Sequence, residues 1–260
     1  MKMITPEKTT LFILLSLFVH SVFAQETDSA KYDRHIAGAV TVTNNGISLL
    51  PTFTLGKPAA IFDLSVGGKK LSFEPQFRFA LDGKPWSFIF WWRYKLVNNE
   101  KFRVQMGAHP AVLFKTVTAT MDGITSEIIE ASRYFAVEFS PNYNLTKNIS
   151  IGMYYLYGHA LQKDGLQYSH FLTINSNFSN IRLSKEIYLR FYPQLYYLRM
   201  EQDDGFYVTA SATLAHRNFP LSVQSMVNLP IQTNIPGGSD FVWNVSLIYS
   251  FNHEYSRKTN

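Results

Sequence analysis

Eight charged residues, Asp63, Glu74, Arg78, Arg93, Lys95, Arg103, Glu138 and Arg190, fall on the polar side of runs whose alternate residues are large and apolar. His109, Tyr134, Tyr154, Tyr188, Tyr192 and Tyr196 fall on the same side. If the runs are strands around a narrow space, all of these side chains point into it. Carboxylates and guanidinium groups there can pair into a network that fills the space. They can also form a polar constriction that selects small polar or anionic solutes. Inward tyrosine rings can stack on sugar or base rings, or simply pack.

Nucleophilic and metal chemistry find no comparable support. His35, His109, His159, His170, His216 and His253 are scattered without ligand spacing, and the chain has no Cys. Outer-membrane phospholipases and lipid A deacylases use a His followed two residues later by Ser. Here Ala111, Leu161, Leu172 and Asn218 follow His109, His159, His170 and His216 at that spacing. Ser169 and His170 are adjacent, which in a strand sends them to opposite faces. Gly67-Gly68-Lys69 has no strand-to-helix context and reads as a turn. No catalytic residue, metal or cofactor is expected.

The clearest positioning element is residues 70–97. Leu71, Phe73, Pro75, Phe77, Phe79 and Leu81 alternate with Lys70, Ser72, Glu74, Gln76, Arg78 and Ala80. After Asp82-Gly83, Trp86, Phe88, Phe90, Trp92, Tyr94 and Leu96 alternate with Ser87, Ile89, Trp91, Arg93 and Lys95. A period of two is a strand and D-G between two such runs is a hairpin. A wall of Phe and Trp opposite a wall carrying Glu and Arg suits lipid on one side and a polar lumen on the other.

The chain has 260 residues, 15% aromatic and 17% charged. Its first 24 residues read as a signal peptide: Lys2 and Lys8, an apolar Leu11 to Phe18, and cleavage after Ala24. After residue 24 no apolar stretch reaches the roughly 18 residues a membrane helix needs. A mature chain in a membrane must therefore cross as strands. Losing two Lys and one Glu with the leader takes the net charge from +5 to +4. The basic residues form no run, which argues against nucleic acid.

The reading gives an all-β, up-and-down transmembrane barrel of twelve strands over 46–251. It follows a periplasmic segment, 25–45, and precedes a tail, 252–260. The expected strands are 47–55, 59–66, the two of the hairpin, 102–116, 133–145, 149–160, 167–177, 186–199, 206–215, 220–229 and 241–251. Short connections follow most even strands. The longer ones, 117–132, 161–166, 200–205 and 230–240, follow odd strands, as external loops would. Trp86, Tyr157, Tyr197 and Trp243 would line the external rim, and Tyr94, Tyr143 and Tyr249 the periplasmic one. Pro51, Pro75, Pro110, Pro141 and Pro193 lie inside expected strands, where a missing N–H calls for bulges or bends.

With its leader, amphipathic strands and a last strand ending on Phe251, the chain resembles Gram-negative outer-membrane β-barrel proteins. The resemblance implies contact with outer-membrane lipid and lipopolysaccharide, and passage through the barrel-insertion machinery. It also implies three functions: a narrow porin-like channel, a closed barrel binding partners through its loops, or a lipid-modifying enzyme. Of these the polar lumen favours the channel.

Overall fold

The computed structural model describes residues 33–121, 124–163 and 165–256. The leader expected over 1–24 lies outside them. The alternating runs form twelve antiparallel strands: β1 Asp33–Thr43, β2 Ala59–Gly67, β3 Leu71–Ala80, β4 Pro85–Asn98, β5 Phe102–Met121, β6 Ile124–Asn144, β7 Ile149–Ala160, β8 Tyr168–Arg182, β9 Ile187–Met200, β10 Asp203–His216, β11 Leu221–Thr233 and β12 Val242–Ser256. Each pairs with its sequence neighbours, and β1 pairs with β12 from Asp33↔Ser256 to Thr43↔Ser246. The sheet is a closed barrel.

The count of twelve holds, but its first member changes. The stretch expected as strand 1, 47–55, is not a strand: Pro51 opens a 3-10 turn over Pro51–Phe53. Ser48 and Thr54 close this segment on itself, since the Ser48 amide donates to Thr54 Oγ1 at 3.0 Å and that hydroxyl to the Ser48 carbonyl at 3.1 Å. The first strand is instead β1, which lies in the stretch 25–45 expected to precede the barrel. Small inward residues (Ala37, Ala39) alternate in it with Ile36, Val40 and Val42, which are exposed on the outer face. Gly38 sits among the outer residues because the Phe251 ring covers it; a Cβ there would come within 2.7 Å of the ring. At the other end β12 continues past Phe251 to Ser256, so this part of the expected tail belongs to the wall.

The exchange also repairs the loop parity. Residues 68–70, 99–101, 145–148, 183–186 and 217–220 make short turns at one end of the barrel. The other end carries 44–58, 81–84, 161–167, 201–202 and 234–241. We call these the turn end and the loop end. Two expected loops are not loops. Residues 117–121 and 124–132 form a two-stranded ribbon, because β5 and β6 pair as far as Met121↔Ile124 while the neighbouring ladders stop at Ser87↔Leu113 and Tyr134↔Ala160. Its Thr-rich strands carry strong β propensity. Residues 200–205 shrink to a two-residue turn with Glu201 at φ 57.

Four of the expected in-strand prolines, Pro75, Pro110, Pro141 and Pro193, are accommodated without bulges. Pro75 pairs with Phe90 of β4, but toward β2 the ladder skips from Asp63↔Gln76 to Val66↔Phe73 in unchanged register. Pro110 leaves the same gap toward β4, Pro141 toward β7 and Pro193 toward β8. Each ring therefore faces the one neighbour from which its missing N–H withdraws a bond, and the other ladder stays intact. The register shifts fall away from these four, at Arg78/Phe79 beside Pro85, at Lys95/Val97, at Phe178/Ile181, and at Phe206/Tyr207 beside Pro230. The expectation of bulges at the prolines is thus corrected to one-sided gaps.

Candidate functional site in the barrel lumen

Around the barrel, residues pointing outward are apolar and exposed, including Phe62, Trp92, Phe102, Phe135, Phe139, Ile174, Leu195, Trp243 and Leu247. An exposed band of this size is the surface a lipid-facing wall presents. Inside, the barrel has two unlike halves.

The polar half is built by β2 to β7. Arg93, at the middle of β4, donates through Nε to Glu138 Oε1 of β6 at 2.7 Å and through its terminal nitrogens to Glu74 of β3 and Glu138 Oε2. Tyr154 of β7 donates to Glu138 at 2.9 Å, Gln105 to its other oxygen at 3.3 Å, and Ser72 to Glu74 at 2.6 Å. The Arg93 guanidinium lies 4.2 Å over the Trp91 ring, which meets His109 edge-on at 4.0 Å. Glu138 has 1% of its side chain exposed. Burial of that charge is tolerable only because Arg93, Gln105 and Tyr154 all donate to it.

A cavity of about 500 Å³ lies beside this cluster, lined among others by Asp63, Glu74, Gln76, Arg78, Trp91, Arg93 and Tyr154. A second, of about 420 Å³, lies nearer the turn end, with Lys95, Arg103, Gln105, Asn142, Asn177 and Tyr192 in its wall. Gln105 of the second cavity and Arg93 of the first both bond Glu138, so the cluster stands between them. Arg190 and Tyr188 lie further toward the turn end of β9, opposite Thr213 and Ala215, and the Tyr188 ring packs under Arg217.

The other half, against β8 to β10, is filled. Phe171, Tyr196, Leu198, Met200, Tyr207 and Ile235 form an apolar cluster at the loop end, with Leu49 and Leu50 packed on it. Tyr196 is 1% exposed and stacks on Tyr207 at 4.8 Å with its hydroxyl on Asn228, so no solute reaches its ring. Residues 44–58 cross the loop end from β1 to this cluster. They are held by Tyr196 and Trp86, which donate to the Leu49 and Phe53 carbonyls at 3.4 and 2.8 Å, and by Phe53 against Tyr134 at 5.3 Å.

No protein-family model and no curated protein sequence matches the chain. Solved structures do. The KdgM porin superimposes with a TM-score of 0.51 at 11% identity, over 84% of this chain and 99% of that one. The KdgM porin in complex with disordered oligogalacturonate gives 0.50 at 11%, with the same coverage. The COG4313 outer membrane channel from Pseudomonas putida F1 gives 0.50 at 10%, over 89% and 98%. The chain has the fold of a bacterial outer-membrane β-barrel.

Sequence alternation placed the twelve candidate positions on strands, and the structure draws them into separate groups. Glu74, Arg93, Glu138 and His109 meet around Trp91. Asp63 and Arg78 share the adjoining cavity, Lys95, Arg103 and Tyr192 line the next, and Tyr188, Arg190 and Tyr196 stand apart from all of these. Trp86, expected on the external rim, points inward and is buried. The cause is the bulge in β4: Arg78 pairs with Ser87 and Phe79 with Pro85, which leaves Trp86 as the extra residue turned beside Ser87. Alternation also could not have found the Leu49–Phe53 crossing, since that segment reaches its partners through tertiary contacts. Ser169 points inward and His170 outward, where it bonds the Tyr155 hydroxyl at 2.8 Å.

Proposed function

We propose that the protein is a narrow porin-like channel in the outer membrane, passing small polar or anionic solutes. The observation that supports this reading is the pair of polar cavities on either side of the Glu74–Arg93–Glu138 cluster. A network present only to fill a small barrel would leave no space beside it. In the channel reading the cluster is the constriction. Its two carboxylates and one guanidinium fix the width, while Lys95 and Arg103 attract anions at the turn end.

Proteoliposomes containing the purified chain should swell in isosmotic solutions of a small sugar and more slowly as the sugar grows. Swelling no faster than in protein-free liposomes would overturn the reading. The location belongs to the same proposal. Export with cleavage after Ala24, passage through the insertion machinery and an annulus of lipid and lipopolysaccharide predict membrane-extracted protein whose first residue is Gln25.

A closed barrel that binds a partner is the second reading, favoured by the β5–β6 ribbon standing clear of its neighbours. Deleting 117–128 should leave swelling unchanged if the channel reading holds.

A further inference from the structure

The two arginines beside the larger cavity are not equivalent. Arg93 is bracketed by two carboxylates. Arg78 lines the same cavity, yet among the described residues it has no ion pair and no hydrogen bond, and its Nε is shielded without an acceptor. Its guanidinium lies 5.0 Å over the Trp86 ring. Its cross-strand neighbour Ser87 is fully buried with an unpartnered Oγ. An unmatched buried donor of this kind costs stability, and a guanidinium is the side chain best shaped to take a carboxylate.

A plain carboxylate would not be the best occupant, because a second charge is left half used on the same wall. Asp63 accepts a hydrogen bond from Gln76 at Oδ1, and among the described residues no bond is made at its other oxygen. The register pairs Asp63 with Gln76 and Ile61 with Arg78, so Asp63 and Arg78 are diagonal neighbours on one face. Such positions lie about 7–8 Å apart, and these two side chains do not pair. Glu74, by contrast, has both oxygens occupied, by Ser72 and Arg93. An anion held by Arg78 would be repelled by Asp63, and a cation held by Asp63 would be repelled by Arg78. A solute carrying both charges satisfies both.

We propose that this cavity of about 500 Å³ binds small zwitterions of the α-amino-acid type, with the carboxylate toward Arg78 and the ammonium toward Asp63. The inference deepens the channel reading by naming a solute class, but the binding itself does not require conduction. Trp86 and Trp91 give a direct optical readout.

The test titrates the purified full chain in detergent micelles with alanine, propionate and ethylamine, following tryptophan fluorescence. Alanine should bind about tenfold more tightly than either single-charge probe. R78Q and D63N should each abolish that preference, and D63N should make propionate the better ligand. R78K and D63E, which keep the charges, should retain part of it. Heat-modifiable gel mobility identifies the folded variants. Equal affinity for alanine and propionate, or a preference untouched in folded R78Q and D63N, would overturn the proposal. Alanine binding in a protein that swells no liposomes would uphold the site and defeat the channel. Swelling without an alanine preference would do the reverse.

Discussion

Removing Arg93 would leave Glu74 and Glu138 facing each other inside the barrel with no cation between them. Breaking a buried pair by deleting one partner typically costs about 3–5 kcal/mol, because the stranded charge stays desolvated. Arg93→Ala should therefore lower the urea unfolding midpoint markedly in micelles, and adding Glu138→Gln should recover part of the loss. An unchanged midpoint in the single variant would show that water already reaches these carboxylates. At the loop end, Lys57 of the crossing segment bonds Asp82 at 2.6 Å. This ammonium, helped by the Lys84 amide, holds Asp82 below the ordinary carboxylate value of about 3.9. A depressed acid stabilises the folded tether above its unfolded value, and that contribution disappears as pH falls through the lowered folded value. Acidifying from pH 5 toward 3 should loosen the tether in the wild-type chain. Asp82→Asn should show the loosened behaviour already at neutral pH; current noise that is identical in the two at pH 7 would contradict this.

Among the elements, residues 44–58 do most to set the width of the loop end. Replacing 49–54 by a short Gly-Ser linker should enlarge the unit conductance, because Leu49, Leu50 and Phe53 would leave the lumen. No change would mean that the polar cluster alone is limiting. The strands themselves were legible in the sequence. Alternation located eleven of twelve, the D-G hairpin included, and assigned inward and outward faces that needed one main reversal, at Trp86. The failures have physical causes. Ile47–Leu55 is apolar enough for a strand, but Pro51 and the Ser48–Thr54 closure turn it inward. β1 looked weak because its inner residues are small and its partners lie at the far end of the chain, where pairing with β12 stabilises it. The prolines looked like breaks because sequence cannot say which neighbour a missing N–H faces. Their one-sided gaps predict faster amide hydrogen exchange at the positions facing them, Leu64 and Ser65, Phe90 and Trp91, Met153 and Tyr154, and Ser176 and Asn177, within otherwise protected strands. Uniform protection along those strands would contradict the gaps.

At the scale of the whole molecule, an apolar outer band and a closed sheet suit hydrocarbon, where every backbone group must find its partner within the protein. The interior is asymmetric. A packed half under the Tyr196–Tyr207 stack stiffens one wall, and a half lined by charge leaves space along the other. The sequence could list the inward charges but not this division, which depends on the segment before β2 folding across the loop end. Single-channel recording in planar bilayers tests the channel account most directly. It predicts small, discrete conductance steps in both polarities, shifted toward anions when Glu74 and Glu138 are both replaced by Gln. Absence of steps at either polarity from folded, inserted protein would contradict it.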